Sequence, residues 1–153
     1  MARSFLENNP FFTGLKPEYL ELISQYAHTD TFKPGECIVE EGGAADKFYV
    51  ISSGKVNLEI QMPGSHPFAI QALERGDIIG WSWLIAPHQW RFTVRAVEKT
   101  ELVVINGQVI QKACEDNHDL GYELFRQMTG ILVKRLDAIR YQLLQMYNQG
   151  IST

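Results

Sequence analysis

The sequence predicts a mainly β domain with flanking helices: a double-stranded β-helix or jelly-roll barrel, short helices before it and a long C-terminal helix after it. Three observations predict it. Turn signals recur at short intervals through the middle of the chain, at Lys33-Pro34-Gly35-Glu36, Glu41-Gly42-Gly43, Ser52-Ser53-Gly54-Lys55, Met62-Pro63-Gly64 and Arg75-Gly76-Asp77. Between them lie CIVE, KFYVI, VNLEIQM, FAIQAL, RFTVRAV and ELVVI, short segments rich in the β-branched and aromatic residues that suit a pleated, half-buried surface. After residue 106 the apolar spacing becomes helical and stays so almost to the end. Many short strands punctuated by turns close into a sandwich, jelly roll or barrel.

In chain order, residues 1–31 form a helical lead-in. From Pro10 the stretch PFFTGLKPEYLELISQYA places Leu15, Tyr19, Leu20, Leu22, Ile23 and Tyr26 at helical spacing. Thr13 suits the cap of a first turn, and Pro17 suits the first turn of a second helix, where its missing N–H is not needed. Residues 32–106 supply the barrel, and 107–149 the C-terminal helices. QVIQKACE is a short helix, and Asn117-His118-Asp119 offers a cap before a long run to about Tyr147. Along that run Phe125, Met128, Leu132, Leu136, Ile139, Leu143 and Met146 are spaced 3, 4, 4, 3, 4 and 3, nearly a heptad stripe. Its first half is expected to cover the barrel. At 1.5 Å per residue the helix is roughly 40 Å long, more than a small barrel needs. Leu132, Leu136, Ile139, Leu143 and Met146 are therefore expected to form a homodimer seam, parallel or antiparallel.

A chain of 153 residues fits one domain with a real core. The net charge of -4, with no run of Lys or Arg, gives no basic face for nucleic acid. Cys37 and Cys114 lie far apart without metal-ligand spacing and read as buried small residues in a reducing cytoplasm. No segment has the apolar length of a signal peptide core or a membrane span. His28, His66, His88 and His118 are scattered, which excludes the clustered ligands of a metal oxygenase. Walker, GxGxxG and GxSxG motifs are absent, and Glu41-Gly42-Gly43 reads as a hairpin turn. Glu40, Glu41, Asp46, Glu74 and Asp77 fall in turns, where carboxylates bond the local backbone. No catalytic residue, metal or cofactor is expected.

The segment FKPGECIVEEGGAADKFYVISSGKVNL, with LERGDIIGWSWLIAPHQWRFTVRAVEKTELVVI, resembles the cyclic-nucleotide-binding domain of bacterial catabolite-activator-type regulators, protein kinase A regulatory subunits and cyclic-nucleotide-gated channels. The resemblance spans almost the whole chain, flanking helices included. It implies a cytoplasmic, bacterial-type regulatory module with a ligand site at Gly80, Trp81, Ser82, Trp83, Trp90, Arg91 and Thr93. In the family an acid takes the ribose hydroxyl and an arginine nine residues later pairs with the cyclic phosphate. Aligned from Gly80 to Ala96, those positions fall on Trp81 and Trp90, with Arg91 one place further on. A one-residue offset along a strand turns a side chain to the other face, so Arg91 is expected to point away from the space that Trp90 faces. Indoles stack on flat rings or fill space, and they do not neutralise a phosphate. Two readings stay open. Either the pocket takes a cyclic nucleotide or a more apolar metabolite and signals through the terminal helix to a protein partner, or the tryptophans plug it and the module works by dimerisation alone. The sequence stops soon after the long helix, without the helix-turn-helix reader of the activator-type regulators, so on length and charge together DNA is not an expected partner, and without an apolar span neither is a membrane.

Overall fold

The computed structural model describes residues 2–9, 11–13, 15–61, 63, 64, 66–80 and 88–151. Its elements are α1 (Ala2–Glu7), α2 (Pro17–Gln25), β1 (Ala27–Phe32), β2 (Cys37–Val39), β3 (Lys47–Ser53), β4 (Lys55–Ile60), β5 (Phe68–Glu74), β6 (Ile78–Ile79), β7 (Thr93–Ala96), β8 (Thr100–Asn106), α3 (Gly107–Asp116) and α4 (His118–Ile151). Two four-stranded antiparallel sheets, ordered β1-β8-β3-β6 and β2-β7-β4-β5, face each other as expected of a jelly roll.

Strands β3 and β8 explain why KFYVI and ELVVI read as unbroken apolar runs: each is covered on both faces. Phe48, Val50, Val103 and Ile105 point outward into a core shared with the helices, where Phe12, Leu20, Ile23, Ile110, Leu120 and Leu124 meet them. Tyr49, Ile51, Leu102 and Val104 point inward, into a second core with Val56, Leu58, Trp90 and Phe92. The register Phe48↔Ile105 and Val50↔Val103 keeps like faces together.

Several expectations are corrected. The helical lead-in ends at Gln25, and residues 27–32 form β1, paired to β8 from Ala27↔Ile105 to Phe32↔Thr100. AHTDTF is mostly exposed and shows no apolar alternation, so pairing to β8 rather than patterning makes it a strand. Thr13 does not cap a helix: its Oγ1 donates to the Asn9 carbonyl at 3.1 Å, and α2 opens at Pro17 behind Lys16. Cys37 is exposed because β2 is an edge strand that turns only Val39 fully inward, whereas Cys114 is buried. The expected cap before the long helix is present, with Asn117 Oδ1 accepting from the Asp119 and Leu120 amides at 3.1 and 3.3 Å.

The stripe on α4 also divides differently. The residues that seal the barrel are Leu120, Leu124 and Met128, followed by Arg135, all buried. Of the expected stripe only Met128 joins that face, while Phe125 is 43% exposed. The helix runs on to Ile151, and Leu132, Leu136, Ile139, Leu143 and Met146 are all exposed on this single chain.

Candidate functional site

The site expected between Gly80 and Thr93 is built from three pieces of backbone. The turn at Glu40–Ala45 lies across residues 88–93 and clamps them. Gly42 N–H donates to the Trp90 carbonyl and Trp90 N–H to the Gly43 carbonyl, both at 2.8 Å. Ala45 N–H donates to the His88 carbonyl at 2.7 Å, and Thr93 Oγ1 accepts from the Glu41 amide at 3.0 Å. Thr93 is buried and thus holds the strap in place. The hairpin turn read from Glu41-Gly42-Gly43 is therefore the roof of the site, a role that its spacing alone did not reveal.

Beneath the strap the Trp90 indole enters the inner core. It is 5% exposed, lies 6.2 Å from the Tyr49 ring at an interplanar angle of 30°, and 6.0 Å from Phe92. Gly80, with φ of +107°, makes room for it: a Cβ there would stand 2.6 and 2.8 Å from the far ring carbons of Trp90. Burial raises Tyr49 to about 12, with Asp46 and Asp30 adding to the effect, so the phenol beside the indole stays neutral at ordinary pH. Arg91 is exposed; residues 90 and 91 precede β7 rather than lying in a strand, so the alternation of faces that the one-residue offset assumed does not apply to them. Gly80 and Trp90 are thus brought together by packing and Thr93 is tied to the strap, while Arg91 lines a shallow surface depression with Glu41, Gly42, Gln89 and an edge of Trp90. Trp81, Ser82 and Trp83 fall outside the described residues.

A cavity of about 280 Å³ lies on the neighbouring flank, between β5, the β5–β6 turn and α4. Gln71, Asp77, Gln127, Lys134 and Arg135 supply its polar lining, and Asn9 bridges its rim, donating from Nδ2 to the Gly76 carbonyl at 2.9 Å. The Gln71 side-chain oxygen is buried there without a hydrogen-bond partner. Sequence reading missed these residues because they come from four separate segments. Among the described residues no cluster of three His, Cys, Asp or Glu could hold a metal ion, and no helix is long and apolar enough to cross a membrane.

The sequence profile described as the cyclic nucleotide-binding domain matches residues 29–117, which includes the strap, the Gly80 turn and Trp90. The chain belongs to the cyclic nucleotide-binding domain family. It is 31% identical over 144 residues to a cGMP-dependent protein kinase of Toxoplasma gondii, covering 94% of this chain and 13% of the kinase. It is 35% identical over 104 residues to a cAMP-dependent protein kinase regulatory subunit of Emericella nidulans, covering 68% of this chain and 24% of that subunit. The chain thus spans a small part of these relatives. A Geobacter metallireducens structure, provisionally named a cyclic nucleotide-binding protein, superposes with a TM-score of 0.80 at 27% identity, over 89% of this chain and 98% of that one. Relatives of the cyclic nucleotide-binding domain in this chain therefore occur in protists, fungi and bacteria.

Proposed function

We propose that this chain is a regulatory module of the cyclic nucleotide-binding family in which the phosphate end of the cradle is filled by the protein itself, and whose output is the apolar face of α4, paired with a second copy. The single observation that carries the first half is the Trp90 indole, buried on Gly80 where the family resemblance puts the phosphate-binding arginine. A cyclic phosphate brought there would meet an apolar ring, and desolvating an anion without a paired cation is strongly unfavourable. The exposed row Leu132, Leu136, Ile139, Leu143 and Met146 supports the second half, since an apolar row of that length marks an interaction surface.

A second reading has its own observation. The cavity beside Gln71 and Arg135 leaves a buried amide oxygen unpaired, and a small ligand with a hydrogen-bond donor would satisfy it. In that reading the module senses an uncharged or weakly polar metabolite and passes the change to α4 by shifting its packing. Titration with cyclic AMP and cyclic GMP, followed by tryptophan fluorescence and melting temperature, tests the first reading. The expected result is no saturable change with either nucleotide. A saturable spectral change together with a rise in melting temperature would overturn the filled cradle.

A further inference from the structure

Arg135 is a charged residue on the face of α4 that otherwise seals the barrel with Leu120, Leu124 and Met128. It is 4% exposed, and its Nη2 donates to the main-chain carbonyl of Ile78. A buried cation persists only where hydrogen bonds and nearby negative charge offset its lost hydration. Asp77, one residue before the acceptor, supplies that charge; burial lowers the guanidinium to about 10, against the opposing pull of Asp77, so it remains charged at neutral pH. The acceptor belongs to β6, a strand of two residues held to β3 by Tyr49↔Ile79 and Val50↔Ile78. The next residue is Gly80, against which Trp90 packs. One guanidinium therefore joins the long helix to the short strand that ends at the filled cradle.

We infer that Arg135 is a latch, a positioning residue that docks α4 onto β6 and holds the helix and the Gly80–Trp90 contact in one packing without any ligand. Arg135 and Leu136 are consecutive, so their side chains point about 100° apart around the helix axis. Seating the guanidinium on β6 thereby fixes which way the exposed apolar row faces. A lysine in its place could reach one carbonyl but would lack the planar fork whose Nη2 holds the Ile78 carbonyl. The consequence for output rests on the reading of α4 as a pairing surface; the latch itself rests on the contact.

Hydrogen exchange followed by mass spectrometry on the wild type, R135M and R135K tests it. R135M keeps length and apolar bulk and removes the donor. The latch predicts about tenfold faster exchange in peptides covering 132–147 and 77–80, the scale of one charge-assisted hydrogen bond, with β3 and β8 unchanged and R135K in between. Wild-type exchange along the helix of R135M would overturn the latch, as would equal acceleration of β3 and β8, which is the signature of a residue that merely fills the core. Should R135M fail to fold, R135K decides: faster exchange confined to the helix and β6 supports the latch, and wild-type exchange overturns it. Sedimentation of the same samples keeps the two ideas apart, because a wild type that sediments as a monomer removes the pairing surface and leaves the exchange result standing.

Discussion

At the scale of single residues, space and backbone geometry decide more than residue type. Gly80 works because it has no side chain: its φ of +107° is a conformation that only glycine adopts at little cost, and the space a Cβ would need is held by the Trp90 ring. Gly80→Ala is therefore expected to push the indole off its seat, lower the melting temperature and red-shift tryptophan emission as Trp90 meets water. An unchanged spectrum and melting curve would show that the ring is not packed there. Gly54 meets the same constraint against backbone, since a Cβ would lie 2.5 Å from the Lys99 carbonyl oxygen. The sequence made Gly54 legible as a turn signal and Gly80 as a position of the family resemblance. It did not disclose what stood opposite them, because Gly80 and Trp90 meet only when the barrel closes.

At the scale of elements, strands with two buried faces were readable as runs and helices as periodicities, whereas the elements that depend on a neighbour were not. β1 carries Thr29, Asp30 and Thr31 toward solvent, and β6 is two residues long; both exist because β8 and β3 offer unpaired edges. The long helix was legible in extent, while its division of labour was not. Leu132 and Leu136 share spacing with Met128, yet only Met128 is buried, because the barrel meets the helix along the line through Leu120, Leu124 and Arg135. What remains exposed makes an element-scale prediction: Leu136→Asp with Leu143→Asp leaves circular dichroism unchanged and converts a wild-type dimer to monomer in sedimentation. A dimer that survives both substitutions would refute the seam.

At the scale of the whole molecule, the chain forms two cores that share β3 and β8 as a common wall, one inside the barrel and one beneath the helices. Each core buries an acid whose neutral form the fold prefers. Burial, with a smaller contribution from Glu115, raises Cys114 from 9.0 to about 11, and Tyr49 is raised from 10.0 to about 12. For an acid raised on folding, the unfolded chain loses its proton first, so the native state holds more protons and stability falls with rising pH. The loss begins as pH passes about 9 for the thiol and about 10 for the phenol, and is complete near the folded values. C114S and Y49F should each flatten the alkaline limb of a plot of stability against pH, measured by denaturant unfolding. Limbs that coincide with the wild type would mean that neither group is held neutral by the fold.

The sequence by itself determined the class of fold, the strands of β3, β4, β5 and β8, the long helices and the Asn117 cap before the last of them. Those features are local: they follow from side-chain period, turn chemistry and the resemblance carried by short motifs. Only the tertiary structure decided that Trp90 lies inside the barrel on Gly80, that the Glu40–Ala45 turn straps residues 88–93, and that Arg135 is buried on β6. Each joins segments remote in sequence, and which of them can meet depends on how the two sheets close and where the helix lands.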